Sequence, residues 1–592
     1  MAITARLDDL RPNRLRSAAF SNQVGEVSTT RVEGVVPVLA QAEAAAASGL
    51  WVVGYIGYEA APAFDPDLAV RPRNQFHDAF PLVWFGLYKD RHLNLGFAEP
   101  LGDYQLTPWK WVDSQPHFEQ DIATIRDHIV AGDTYQVNYT SRLRSHFSGD
   151  PMAFYRDLAE AQSGGYGTFL DTGRFWIVSA SPELFFDRYP VGEGTDRLIT
   201  RPMKGTVSRG RWASEDAMRK RQLEESAKDR AENLIVVDLL RNDLGRVAHV
   251  GSVCVDELMA VERYDTVWQM TSTISAEISS DMTLTSVLRG LFPCGSITGA
   301  PKIRTMEIIR DLESEPRGVY TGAIGFLSPP HAPGPRASFS VGIRTVVIDS
   351  RTGEAEYGIG GGITFDSDPT AEYEEAALKA RILTYGTSDF ELLETVRWSP
   401  TAGWYWLDRH VERLVESAAY FGIPVDRSEV VRRLDDAVAG GAESRVRLTV
   451  SRQGLIGITV APFVLDERVS VAISIDREPV DVSSPFLFHK TTRRDVYEAR
   501  RARHPNAEDV LLVNDRGELT ESTIANVAVQ IDGVWVTPPI DAGCLPGVYR
   551  QVLLDEGRIE ERTIAVADLE RCEGIALLNS VRLWRPAFVV GD

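Results

Sequence analysis

The feature that most constrains this chain is that it starts twice. Near residues 386–390 (GTSDF) one pattern of elements ends, and a strand-like run, LLETVRW, opens another. An amphipathic helix follows, with Asp408 as its predicted N-cap and Val411, Leu414, Ala418 and Phe421 on one face, stopping at Gly422 and Pro424. At 592 residues the chain also exceeds what one hydrophobic core organises. Two domains are therefore predicted, 1–385 and 386–592, joined by a short linker at 384–389.

Within the first domain, residues 1–120 read as short strands between Pro- and Gly-rich turns (WVVGYIGY, FPLVWFGLY). From 117 to 390, helical patterns (HFEQDIATIRDHIVAG; 224–240) interleave with strand patterns (RFWIVSASPELFF, SFSVGIRTVVID). The order is mixed, which predicts an α+β fold. PPHAPGP at 329–335 reads as an exposed hairpin loop. No repeat of 20–50 residues occurs, so solenoids and propellers are excluded.

Composition narrows function. A 44% hydrophobic, 25% charged chain is ordinary globular protein. A net charge of -21 disfavours nucleic acid and anionic membrane as partners. Four scattered cysteines without a CxxC pair argue against a disulfide framework or thiolate zinc site. The first residues lack the apolar core of a signal peptide, and no run of 18 apolar residues occurs, so a cytoplasmic location is expected. Only eight residues are lysine, so chemistry that needs an amine has few candidates.

Three groups in the first domain suggest chemistry. Asp229 and Glu232 lie three apart on one predicted helix, and Glu372 and Glu375 repeat that spacing on another. Such pairs are usually solvated helix faces, but two of them together suit magnesium, which binds through one or two carboxylates and keeps positions for water and an anionic substrate. Glu183 in SASPELF and Lys204 in TRPMKGT could serve as general acid and nucleophile. GIGGGI at 358–363 is neither a dinucleotide fingerprint nor a P-loop, and reads as a strand bend or a close backbone approach.

The longer strings are more specific. DRAENLIVVDLLRNDLGR, CGSITGAPKIRTMEII, YTGAIGF, FSVGIRT and YGIGGGITFDSDPTAEYEE resemble, in order and spacing, those of the chorismate-utilising enzymes, over about residues 30–385. That family includes anthranilate synthase component I, isochorismate and salicylate synthases, and aminodeoxychorismate synthase component I. PMKGT resembles the PIKGT of aminodeoxychorismate synthases, where the other members place a small residue at the lysine position. The resemblance implies a large two-sheet α+β domain acting on chorismate. It implies that Glu183 protonates the departing C4 hydroxyl while Lys204 attacks C2, and that ammonia then adds at C4. It implies Mg2+ on Glu232 and Glu375, with Asp229 and Glu372 acting through water. Arg344, Tyr320 and the amides around Gly361 and Gly362 would hold the side-chain carboxylate, and Ser296 and Thr298 would line the pocket. Gln269 stands where the family often has His, so no acid–base work is assigned to it. The LLES-type segment of tryptophan-inhibited relatives is absent, and tryptophan inhibition is not expected.

After Ala380 there is one lysine, Lys490. On scarcity alone it reads as a surface residue. HKTTRRDVYE, LTESTIANV and LPGVYR, however, resemble the class IV aminotransferases (fold type IV), which include branched-chain and D-amino acid aminotransferases and aminodeoxychorismate lyase. The resemblance implies pyridoxal 5'-phosphate bound to Lys490, with Glu521 on its ring nitrogen and Arg413 on its phosphate. Thr523 and Asn526 would approach the cofactor, and the amides of Gly547 and Val548 would give a second phosphate contact. Tyr549 stands where a threonine is common. The domain lacks the family's opening pair of strands, so either the first domain supplies an edge or the fold is trimmed. Paired with the first domain, the lyase reaction is expected, giving 4-aminobenzoate and pyruvate. The alternatives are a true aminotransferase, an anthranilate synthase-like first activity, or a second domain that only scaffolds a glutaminase. No glutamine amidotransferase segment is visible, so ammonia is expected from a separate subunit.

Overall fold

The computed structural model describes residues 4–11, 16–74, 77, 79–93, 102–162, 164–264, 266–383, 390–464 and 470–590. The linker predicted at 384–389 lies outside them. The chain forms two units, Met1–Ser208 with Lys220–Thr387, and Arg209–Arg219 with Ser388–Asp592. Among the described residues no helix is long and apolar enough to cross a membrane.

Among the described residues of the first unit, nineteen strands join one network of ladders. The strand Trp51–Ile56 shows its layering. Val52 and Ile56 pack in a cluster with helices Val35–Ala47, Ala227–Gly245 and Leu284–Leu291. Trp51, Val53 and Tyr55 point the other way, into a cluster with Leu170 and Ile177. Phe169 and Val178, neighbours of those two residues, turn to helices Gln115–Val130 and Pro151–Gln162. Because side chains alternate along a strand, this amounts to two helix-backed halves with a sheet-to-sheet core between them.

Two strands predicted as continuous are broken, and each break holds a residue predicted to belong to the site. RFWIVSASPELFF divides into Phe175–Ser181 and Leu184–Gly192, leaving Glu183 at the gap. SFSVGIRTVVID divides into Ala337–Val341 and Thr345–Asp349, and Arg344 in the gap takes a left-handed backbone, φ 51°. Such a conformation costs a non-glycine residue about 1–3 kcal/mol and survives only where the surroundings enforce it. The helix expected over 224–240 begins at Ala227, because Ser226 caps it by accepting from the Asp229 amide, and runs to Gly245. Ala323–Leu327 and Ala337–Val341 pair antiparallel, with 329–335 as the connecting loop.

The described residues of the second unit form a four-stranded sheet and an eight-stranded mixed sheet. Leu392–Ser399 pairs with Ser444–Val450 on one side; on the other its far end pairs with the two-residue strand Gly403–Trp404 and Leu392 bridges Thr491. The helix Leu407–Phe421 buries Val411, Leu414 and Ala418 and ends at Gly422, φ 69°. Its N-cap is Trp406, in the left-handed region, rather than Asp408. Asp408 sits in the first turn, where a carboxylate still favours the helix dipole.

Candidate active sites

In the first unit the strands Gln136–Gly149 and Glu354–Ile363 pair over ten residues, setting Gly361 opposite Tyr139 and Gly362 opposite Asn138. The glycine run is a close approach from several sides. A Cβ on Gly358 would lie 2.1 Å from the Tyr320 ring, and one on Gly360 2.1 Å from the Tyr139 carbonyl. A Cβ on Gly362 would lie 2.1 Å from Lys204 Nζ. Glycine at 362 thus makes room for the amine itself.

That amine projects into a cavity of about 200 Å³. Glu183, Ser296, Tyr320, Arg344, Gly361 and Gly362 line it, as do all four predicted metal carboxylates. Thr298 stands behind the wall, fully buried, with its hydroxyl donating to the Cys294 carbonyl at 3.1 Å. Burial pushes the Glu183 carboxyl up to about 7, against the opposing pull of Ser296 and Lys204. Its Oε1 is buried and has no hydrogen-bond partner. A carboxyl half-protonated near neutral pH, with an unsatisfied oxygen in a cavity, is poised to give a proton.

The backbone of Lys204 is held from two sides. The Asn233 amide donates to the Lys204 carbonyl at 3.3 Å. The Gln269 amide donates to the Gly205 carbonyl and accepts from the Thr206 hydroxyl, each at 2.7 Å. Gln269 is therefore spent on positioning the strand. Arg344 donates to the Lys379 carbonyl, which orients its guanidinium.

Burial raises the Glu232 carboxyl, opposed by Lys204 and Lys228 and reinforced by Asp229 and Glu372. Burial also raises Glu372, which accepts from the Ser367 hydroxyl at 2.7 Å. Glu375 is lowered by Lys379, 2.7 Å away. Four mutually repelling carboxylates around one cavity suit a hard divalent cation. Among the described residues, though, no three acidic, His or Cys side chains close into a cage. Lys228 and Lys379 stand against the carboxylates, 3.9 Å from Glu232 and 2.7 Å from Glu375. The sequence reading passed over these two lysines, although their scarcity could have flagged them.

The second unit has a cavity of about 390 Å³, lined by Arg413, Lys490, Glu521, Thr523, Asn526, Gly547 and Val548. Burial and then Arg413 pull the Lys490 amine down to about 8, against Glu394 and Glu521. Burial pushes Glu521 up to about 7, although its oxygens accept from the Tyr497 hydroxyl (2.8 Å) and the Leu545 amide (3.1 Å). Arg413 is paired with Glu394 through two bonds of 2.8 and 2.7 Å, and its third nitrogen donates to the Pro546 carbonyl at 3.0 Å. Burial would raise Glu394, but Arg413 and His410 hold it at about 2. Arg413 therefore fixes the turn before Gly547, the N-cap of helix Val548–Asp555. Gly547 admits no side chain, since its Cβ would meet Asn526 Oδ1 at 1.9 Å. Thr523 is committed to Asp509 by its amide (3.0 Å) and hydroxyl (2.5 Å). A helix N-terminus, a buried amine and a buried carboxyl in one cavity fit a phosphorylated pyridine aldehyde.

Sequence reasoning missed Arg445, Arg447, Arg493, Arg494 and Arg582, which line the same cavity. Arg445 and Arg447 alternate on Ser444–Val450 and so share a face. In a chain of net charge -21 this concentration of guanidinium marks an anion pocket.

The sequence matches the chorismate binding enzyme family over residues 13–385 and the amino-transferase class IV family over 391–588. It is 44% identical over 261 residues to an aminodeoxychorismate synthase of Streptomyces griseus, spanning 44% of this chain and 34% of that one. It is 38% identical over 270 residues to anthranilate synthase component 1 of Synechocystis sp., spanning 45% and 52%. The chain thus spans about a third to a half of these relatives' length. The crystal structure of anthranilate synthase component I from Streptococcus pneumoniae TIGR4 superposes with TM-score 0.52 and 26% identity, over 62% of this chain and 92% of that one.

Proposed function

Since the chain belongs to the chorismate binding enzyme family, we propose that it makes 4-amino-4-deoxychorismate in its first unit and converts it to 4-aminobenzoate and pyruvate in its second. The observation that supports the first step is an amine, Lys204 Nζ, in the cavity where Glu183 is buried with a free oxygen. An anthranilate-type reaction needs no such amine. Glu183 gives its proton to the C4 hydroxyl, which leaves as water, while Lys204 Nζ bonds to C2. That displacement moves both ring double bonds one position toward C4; ammonia then bonds to C4, both double bonds return, and the C2–Nζ bond breaks. Arg344 and the backbone around Gly361 and Gly362 take the enolpyruvyl carboxylate.

Asp229, Glu232, Glu372 and Glu375 would hold Mg2+, which when bound neutralises the ring carboxylate. Lys228 and Lys379 must yield to it, so metal and substrate are expected to enter together. Ammonia is supplied by a separate glutaminase subunit.

In the second unit Lys490, Glu521 and the amides at Gly547 and Val548 would hold pyridoxal 5'-phosphate, which when bound supplies an electron sink. Lys490 Nζ, near pKa 8, takes the proton from C4. The C3–O bond breaks, the ring becomes aromatic, and the enolpyruvyl group departs as pyruvate. The guanidinium-lined walls suit a dicarboxylate better than a neutral amino acid side chain, which supports the lyase reading over an aminotransferase.

The test is to incubate the protein with chorismate, magnesium, ammonium and pyridoxal phosphate and to resolve the aminobenzoate isomers. The para isomer is expected, and ortho product would overturn the assignment. Lys490→Ala should accumulate 4-amino-4-deoxychorismate and release no pyruvate. 4-Aminobenzoate from that variant, with no lyase added, would remove Lys490 from the reaction.

A further inference from the structure

Residues Arg209–Arg219 belong to the second unit, although more than 160 residues separate them from the rest of it. The segment begins five residues after Lys204 and folds on itself. Arg209 binds Asp216 through two bonds of 2.7 Å, and the Gly210 amide donates to the same carboxylate at 2.9 Å. A Cβ on Gly210 would lie 2.1 Å from the Asp216 amide nitrogen, so the turn requires glycine.

The segment packs on the residues that precede Lys490. Trp212 packs on Phe488 with ring centroids 5.0 Å apart and the rings tilted by 40°. The Arg211 guanidinium lies 5.3 Å from the Phe488 centroid and donates to the Val482 carbonyl at 3.3 Å. Arg209 sits 4.4 Å from the Tyr420 centroid and donates to the Tyr420 carbonyl at 3.1 Å. Tyr420 in turn packs on His489, with ring centroids 4.2 Å apart and the rings tilted by 31°. Burial and the Arg209 charge push the His489 ring down to about 3, so it stays neutral as a packing element. From the other direction the Leu393 amide donates to the Lys490 carbonyl at 2.9 Å. Trp212 also packs against the cluster containing Tyr497, the donor to Glu521.

We propose that Arg209–Arg219 is a positioning strap for the second unit's site, setting Phe488 and His489, and hence Lys490, without touching substrate. The proposal rests on the assignment of Lys490 as the lysine that takes up pyridoxal phosphate. It deepens that assignment by making a segment of the chorismate-binding region part of the second site's framework.

The test uses full-length protein with Trp212→Ala and Trp212→Phe. Pyridoxal phosphate is titrated across pH 6–10, trapped by borohydride, and quantified at Lys490 by mass spectrometry. Trp212→Ala should need at least tenfold more pyridoxal phosphate for half-labelling and should shift the pH midpoint of labelling. Trp212→Phe should recover most of both, and chorismate consumption should match wild type in each variant. Without the cofactor, amide exchange over 485–490 should quicken at least tenfold in Trp212→Ala and return toward wild type in Trp212→Phe. Wild-type labelling and exchange in Trp212→Ala would overturn the strap. Altered exchange with no labelling of Lys490 even in wild type would retain the brace but refute the assignment of Lys490.

Discussion

Replacing Glu183 with Gln separates the catalytic role proposed for the carboxyl from what it costs in stability. Folding moves this group from 4.5 to about 7, chiefly by burial. A shift of about 2.5 units corresponds to roughly 3 kcal/mol between protonation states. The raised value fixes the sign. The unfolded chain releases this proton at lower pH than the folded one, so the contribution to stability is complete below pH 4.5 and is lost as pH rises to 7. Glu183→Gln keeps the shape without the charge. Relative to wild type it should gain nothing at pH 4.5 and up to about 3 kcal/mol above pH 7.5, where burying the carboxylate is fully unfavourable. Denaturation midpoints measured for both proteins from pH 4.5 to 8.5, in the absence of magnesium, give the difference directly. The variant should also lose the amination step, and the wild-type rate should fall as pH rises through 7. A stability difference that does not change with pH would refute a buried, proton-bearing Glu183, whatever the activity.

Other consequences follow from the same geometry. Gly362→Ala places a methyl where Lys204 Nζ lies, so amination should fall at least ~100-fold while the second reaction, fed with 4-amino-4-deoxychorismate, is unchanged. Product assays with the two substrates distinguish these. EDTA should stop chorismate consumption and leave conversion of supplied 4-amino-4-deoxychorismate intact; loss of both would place the metal dependence elsewhere.

The identity of both units was legible as strings, because the residues that make each cavity sit in short contiguous motifs. The family motifs pointed to Lys204 and Lys490 but passed over Lys228 and Lys379, which at helical spacing from Glu232 and Glu375 look like ordinary surface pairs. The breaks at Glu183 and Arg344 were hidden because the flanking residues are good strand formers. Burial of the local apolar residues says nothing about where a ladder must open for a cavity. Thr298 shares a motif with Ser296 yet faces away, since neighbours in a turn diverge. The missed arginines of the second cavity come from three stretches far apart in sequence, 445–447, 493–494 and 582, and only folding gathers them. Nothing in RGRWASEDAMR announces a strap. Its partners lie some 200 residues further on, beyond any local pattern.

That distance has a consequence during synthesis. Trp212 leaves the ribosome about 280 residues before Phe488 exists, and at roughly 5–20 residues per second this is a wait of about 15–55 s. For that interval the nascent protein exposes a tryptophan, next to Arg211, without its Phe488 partner, and the second site cannot reach its final form until translation is nearly complete.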